Sequence, residues 1–183
     1  WIPAEQPSGN YLIYLHGSAL NIAANITHAG RFHRLGFSVM LISYRGYGKS
    51  DGTFPSEAQV YTDARAAWEH LVNQKGIDPS DITIYGHSLG GAVGIQLAVE
   101  QPAAAGLIVE AAFTSIADMA RVLPKYRIFP IELIVNQRFD SIKKVPQLRV
   151  PVLYIHGTDD TVVPHDMSRE LYEQTASPKQ LKL

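Results

Sequence analysis

The residues with the clearest chemical content are Gly86-His87-Ser88-Leu89-Gly90, a G-x-S-x-G pentapeptide. A strand-like run, Asp81-Ile82-Thr83-Ile84-Tyr85, comes directly before it, and a helix-like stretch with Gly91, Ala92 and Gly94 directly after. Strand, tight turn and helix in that order are the setting in which a serine is raised above a sheet as a nucleophile. The chemistry would be acyl transfer. The Ser88 hydroxyl attacks a carbonyl, and the helix N-terminus, with its free N–H groups and dipole, favours the negative charge that develops. The outer glycines fit the same geometry, because a Cβ at Gly86 or Gly90 would crowd neighbouring backbone. Alone, the pentapeptide would also fit a glycine-rich turn with an incidental serine; the flanking elements favour the nucleophile.

Two further stretches supply groups that such a serine needs. Leu15-His16-Gly17-Ser18-Ala19 follows the first strand-like run. A His-Gly turn there can aim backbone N–H groups at the reacting carbonyl, and those of Ser18 and Leu89 would form an oxyanion hole. His16 reads as a structural, hydrogen-bonded residue rather than a general base. The run Ile155-His156-Gly157-Thr158-Asp159-Asp160-Thr161-Val162-Val163-Pro164 puts two carboxylates in a tight turn at the end of a later strand. That is a suitable site for the acid that orients a catalytic histidine. In isolation it is an ordinary Gly-Asp turn; following the elbow in chain order, it reads as functional. Glu110, at another strand end, is the rival acid.

The elements that must position these groups alternate along the chain. Short apolar runs at Tyr11–Leu15, Ser38–Ser43, Ile82–Tyr85, Gly106–Glu110 and Val152–His156 suit buried parallel strands. Helical patterns fall at Asn25–Leu35, Ser56–Lys75, Ser88–Glu100 and His165–Thr175. The second is the clearest: Ser56 and Gln59 form a capping box, Val60, Ala64, Ala67, Trp68, Leu71 and Val72 an apolar stripe, and Gly76 a stop. Such alternation predicts an α/β fold with a mostly parallel sheet and helices on both faces. Residues 114–150 break the rhythm with Pro124, Pro130 and Pro146 and with Tyr126, Ile128, Phe129 and Leu133. They read either as a small cap over the site or as an excursion packed on the sheet edge.

Composition bounds the rest. The 183 residues, starting at Trp1, suit one domain, at about 150 residues each. Hydrophobic residues are 46% and charged residues 18%, which excludes a disordered chain. A net charge of −1 without a basic run argues against a nucleic-acid partner. Cysteine is absent, so there is no disulfide framework, thiolate metal site or cysteine nucleophile. No apolar run approaches the ~18 residues of a membrane span. Gly48-Lys49-Ser50 mimics the tail of a P-loop, but Ser43 stands where its first glycine belongs. His156, Asp159 and Asp160 lack a recognised metal-ligand spacing.

In combination these stretches resemble the α/β-hydrolase superfamily, and within it the small, minimally capped serine aminopeptidase-like or depalmitoylase-like enzymes. The carrying segments are LHGSALN, SYRGYGKSDG, YTDARAAWEHL, IYGHSLGG, AAFTSIADMA and VPVLYIHGTDDTVVP, spread over about residues 12–164. The resemblance implies Ser88 as nucleophile, Asp160 as acid through the pattern Gly157, Asp160, Val163, Pro164, and Ser18 and Leu89 as oxyanion donors. It implies no cofactor and no metal. One departure is Ser43, where the pattern usually has Asp. The chain order Ser, acid, His leaves only His165 after Asp160, and His165 opens a helix. The resemblance therefore implies a single domain over 1–183 truncated at both ends. SPKQLKL approaches one more strand, and the base lies roughly 10–15 residues beyond Leu183. His28, His33 and His70 read as surface or satisfied helix residues, and His87 as support for the turn. The reading is a serine hydrolase of esters, thioesters or amides. If no histidine follows residue 183, the alternative is an inactive binding protein of the same fold. Substrate, oligomeric state and localisation stay open, the last between the cytoplasm and a membrane reached through a segment upstream of residue 1.

Overall fold

The computed structural model describes residues 1–6, 9–18, 22–53, 55–122 and 136–183. Six strands, β1 (Tyr11–Leu15), β2 (Ser38–Leu41), β3 (Ile82–His87), β4 (Gly106–Glu110), β5 (Val152–Ile155) and β6 (Lys179–Lys182), form one sheet in the order β2-β1-β3-β4-β5-β6. Every neighbouring pair is parallel. An antiparallel bridge, Ile2 to Val39, extends the β2 edge. The segment read as the approach to a further strand is thus itself a strand, β6, paired with β5. Its sequence, Lys-Gln-Leu-Lys, alternates weakly and is too short to show its own period.

Among the described residues the α-helices are α1 (Ile22–Arg34), α2 (Glu57–Glu69), α3 (Leu89–Glu100), α4 (Ile116–Val122), α5 (Ser141–Lys144) and α6 (His165–Gln174). From β1 the chain first steps outward to β2, then back across β1 to β3. Right-handed crossovers in opposite directions place their helices on opposite faces. Accordingly Leu12, Tyr14, Val39 and Tyr85 pack with Ala29 and Phe32 of α1. Ile13, Leu15, Ile84, Val109 and Tyr154 pack with α2, α3 and α6 on the other side.

The capping box of α2 is present in full, with Ser56 and Gln59 each satisfying the other's backbone N–H. Its C-terminal part departs from the expected continuous helix: His70–Gln74 winds as a π-turn, and the Lys75 N–H donates to the His70 carbonyl. Gly76 follows at φ +67°, the left-handed stop its position suggests. Strand β2 ends two residues early, where Ser43 Oγ turns back to the Tyr47 carbonyl. Within residues 114–150, α4 and α5 flank the stretch in which Pro124, Tyr126, Ile128, Phe129, Pro130 and Leu133 fall; those six lie outside the described residues.

Candidate active site

Ser88 links β3 to α3 at φ 53° and ψ −118°, a conformation that costs a non-glycine residue about 1–3 kcal/mol. Its neighbours hold it there. The Ser88 N–H donates to the Glu110 carbonyl at 2.9 Å, and the Ser88 carbonyl accepts from the Gly91 N–H at 2.9 Å. A Cβ at Gly86 would lie 2.1 Å from the Gly90 carbonyl oxygen, and one at Gly90 would lie 2.0 Å from that of Leu15. The turn is therefore wedged between β1 and the first turn of α3, with no room for a methyl group at either glycine.

The sheet order explains why the His16-Gly17-Ser18 turn meets this serine. The strand order reverses between β1 and β3, and open α/β sheets present their crevice beyond the strand ends at such a switch. Leu15 pairs with Gly86, so the turn after β1 comes up beside the turn after β3. A Cβ on Gly17 would stand 3.3 Å from the Ser88 Cβ. His16 is fully buried, its Nδ1 2.7 Å from the Gly17 carbonyl and its ring packed against those of Tyr44 and Tyr47. Burial lowers its pKa below the ordinary histidine value, as expected of a structural ring. Tyr44 Oη donates to the His16 carbonyl at 3.3 Å. Arg45, next in sequence, is clamped to Asp63 of α2 through its guanidinium and its backbone N–H. This pairing of SYRGYG with YTD had no signal in either segment alone.

Ser88 and Asp160 line one cavity of about 300 Å³, together with Gly17, Ser18, His87 and Asn25. Asp160 lies in the turn after β5. Its Oδ1 accepts the N–H groups of Val162 at 2.8 Å and Val163 at 3.0 Å, and its Oδ2 lies 3.4 Å from His156 Nε2. Burial raises the pKa of this carboxyl, but the Val163 and Val162 N–H groups and His156 outweigh it, and the net pKa is below the ordinary value. His156 is a buried support: Nε2 bonds the Val163 carbonyl at 2.9 Å and Nδ1 the Ser168 hydroxyl at 2.7 Å. With both ring nitrogens engaged, it has no lone pair for a metal ion, and among the described residues no cluster of three ligand side chains is present.

Glu110 is elsewhere. Its side chain points to the α1 face, where it accepts the Tyr85 hydroxyl at 2.6 Å and sits 3.7 Å from His28 Nε2. The Tyr14 hydroxyl closes the group, 2.9 Å from His28 Nδ1 and 3.2 Å from Asn25 Oδ1. Burial pushes the Tyr14 hydroxyl up to about 12. His165 is the first residue of α6, its Nε2 3.6 Å from Asp166. Among the described residues lining the Ser88 cavity, His87 is the one histidine. Asn25 and the Tyr14–Tyr85–His28 group were not anticipated, because their partners lie on other elements.

A parallel sheet whose strand order reverses beside a strained serine, with a carboxylate across the same cavity, defines an α/β-hydrolase. The sequence model of the serine aminopeptidase family matches residues 6–144, and the chain belongs to that family. An uncharacterized protein of Mycobacterium tuberculosis is 38% identical over 172 residues, which is 94% of this chain and 60% of that one. The structure of an α/β-hydrolase from Vibrio vulnificus superposes with a TM-score of 0.77 at 27% identity, covering 94% of this chain and 66% of that one. Est1E of Butyrivibrio proteoclasticus, with ferulic acid bound, shares the fold at a TM-score of 0.81 and 20% identity, covering 99% and 82%. The chain spans 54–60% of the length of curated relatives it matches. Among the described residues no helix is long and apolar enough to cross a membrane.

Proposed function

We propose that this chain carries the nucleophile, acid and oxyanion hole of a serine hydrolase that cleaves an ester, thioester or amide through an acyl-serine intermediate. The observation that carries the reading is Ser88, held at positive φ on a strand-to-helix turn, sharing one cavity with Asp160 and Ser18. Membership of the α/β-hydrolase family supports hydrolysis as the reaction class. A histidine base takes the Ser88 proton as Oγ bonds to the substrate carbonyl carbon. The carbonyl electron pair moves onto oxygen, where the N–H groups of Ser18 and Leu89 receive it. Collapse of this intermediate expels the leaving group, which takes the proton from the imidazolium. Water then repeats the sequence and releases the acid. Asp160, anionic at neutral pH, orients the histidine and stabilises its cationic form. In this reading the base is a histidine later in chain order than Asp160, beyond residue 183, and no cofactor is required.

The test uses the full-length protein and a fluorophosphonate probe. Wild type should label and Ser88→Ala should not. Asp160→Asn should lower kcat by about 10⁴, and Glu110→Gln by less than about tenfold. Labelling that persists in Ser88→Ala removes the nucleophile assignment. An unlabelled wild type favours a binding protein of this fold, and a larger loss in Glu110→Gln moves the acid to β4.

A further inference from the structure

A second cavity, of about 270 Å³, lies on the α2 side of the oxyanion turn. Val60, Leu89, Phe113, Ile116 and Phe139 supply its apolar wall, and Ser18 lines it as well as the Ser88 cavity. No charged side chain is among the described residues that line it. Leu89 directly follows the nucleophile. Ser18 and Leu89, whose N–H groups are the oxyanion donors in the acyl-transfer reading, both line this second cavity, which therefore adjoins the place of a carbonyl bonded to Ser88.

One wall of the cavity comes from residues 136–139, and these are fastened to the start of α2 by Glu57. Its Oε2 accepts two successive backbone N–H groups, Arg138 at 2.8 Å and Phe139 at 3.0 Å. Its own N–H donates to Gln137 Oε1. The other carboxylate oxygen accepts the Tyr61 hydroxyl at 2.7 Å, with Lys144 Nζ 3.5 Å away and also 2.7 Å from that hydroxyl. Phe139 needs this support: it is non-glycine at φ 44°, buried, with its ring edge-on to Tyr61 at 5.7 Å. Two adjacent N–H groups converging on one oxygen call for an acceptor without a proton of its own, which a carboxylate is.

We propose that this cavity receives an uncharged, apolar acyl group, and that Glu57 is the positioning residue that sets its size by holding Phe139 in the wall. The proposal rests on the acyl-transfer reading above. A volume of about 270 Å³ has room for about nine groups of water size, which suits an acyl chain of roughly six to ten carbons. Each methylene buried there should raise affinity about fourfold, so affinity should rise with chain length until the cavity is full.

The test is the chain-length profile of the full-length protein on p-nitrophenyl acetate, butyrate, octanoate and dodecanoate, with fluorophosphonate labelling alongside. In wild type kcat/KM should peak near octanoate. In Glu57→Ala the octanoate-to-acetate ratio should fall at least about tenfold, chiefly through KM, and Glu57→Gln, which keeps one acceptor oxygen, should recover part of it. Ile116→Trp, which fills the cavity from its half-buried rim, should lower the same ratio and is read if Glu57→Ala does not fold. A protein that labels but shows no preference for octanoate, or a ratio unmoved in Glu57→Ala and Ile116→Trp, overturns the acyl cavity. A protein that does not label overturns the acyl-transfer reading beneath it.

Discussion

Ser88 depends on what its neighbours lack. A residue at φ 53° persists only where its surroundings over-determine it, and here the wedge is the missing Cβ atoms of Gly86 and Gly90. Adding one methyl group at Gly90 sets it 2.0 Å from the Leu15 carbonyl oxygen, so β1 or α3 has to move. Gly90→Ala should therefore lose about 3 kcal/mol or more of stability. Gly157→Ala, where nothing lies within 4 Å of the added carbon, should stay within about 0.5 kcal/mol. Urea unfolding of both variants checks this, and equal midpoints would remove the steric account of the elbow. The same residue scale separates the two candidate acids. Both carboxylates are hydrogen-bonded, but Asp160 lines the cavity of Ser88, whereas Glu110 is bonded to Tyr85 on the α1 face.

At the scale of elements, α2 does more than cover the sheet. Its N-terminus carries the capping box and, one residue on, the Glu57 clamp; nearly two turns later Asp63 grips Arg45 of the loop after β2. Sequence alone showed the capping box because both partners lie within four residues. It showed nothing of the clamp or the Asp63–Arg45 pair, whose partners are far along the chain. Ser56→Ala removes one side of the box and should cost about 1 kcal/mol, read as a lower urea midpoint with an unchanged slope. A variant as stable as wild type would mean that the tertiary contacts of α2 hold its first turn without the cap. The π-turn at His70–Gln74 was equally silent, because its residues have ordinary helical spacing and only the hydrogen-bond ladder distinguishes it.

The whole molecule should be sensitive to acid in two stages. His16 and His28 have folded pKa values below the ordinary 6.5, first because burial penalises their charged form. The unfolded chain therefore takes up protons before the folded one, and stability falls as pH drops below about 6.5. Asp118 and Asp160 are held below the ordinary 3.8, and Glu57 below 4.5. In each, burial works upward and is outweighed: by Ser115 and Thr114 hydroxyls at Asp118, by backbone N–H groups at the other two. Their contribution is fully present above the unfolded values and is lost as pH falls through the folded ones. Thermal midpoints measured from about pH 8 down to about pH 3 should be level at first, decline below about 6.5 and fall more steeply below about 4.5. A midpoint that holds level from about pH 7 to about pH 5 would contradict the neutral state of buried His16 and half-buried His28.

Sequence by itself determined the parts of this protein whose cause is local. The strand runs, the Ser56 cap, the Gly76 stop and the serine between close-packed glycines each follow from residues a few positions apart, where steric limits and backbone hydrogen bonding act directly. It also carried the family, because the motifs recur in fixed order. Tertiary structure decided what depends on strand order and face. The reversal between β1 and β3 brings Gly17 against Ser88. The turn after β5 brings Asp160 into the Ser88 cavity, although the two are distant in the chain. The pleat of β4 sends Glu110 to the α1 face. Glu57 finds Arg138 and Phe139 only because the chain returns past α2. Such contacts join segments whose own patterns are indifferent to one another. The packing of the whole sheet selects them, and no spacing in the sequence records it.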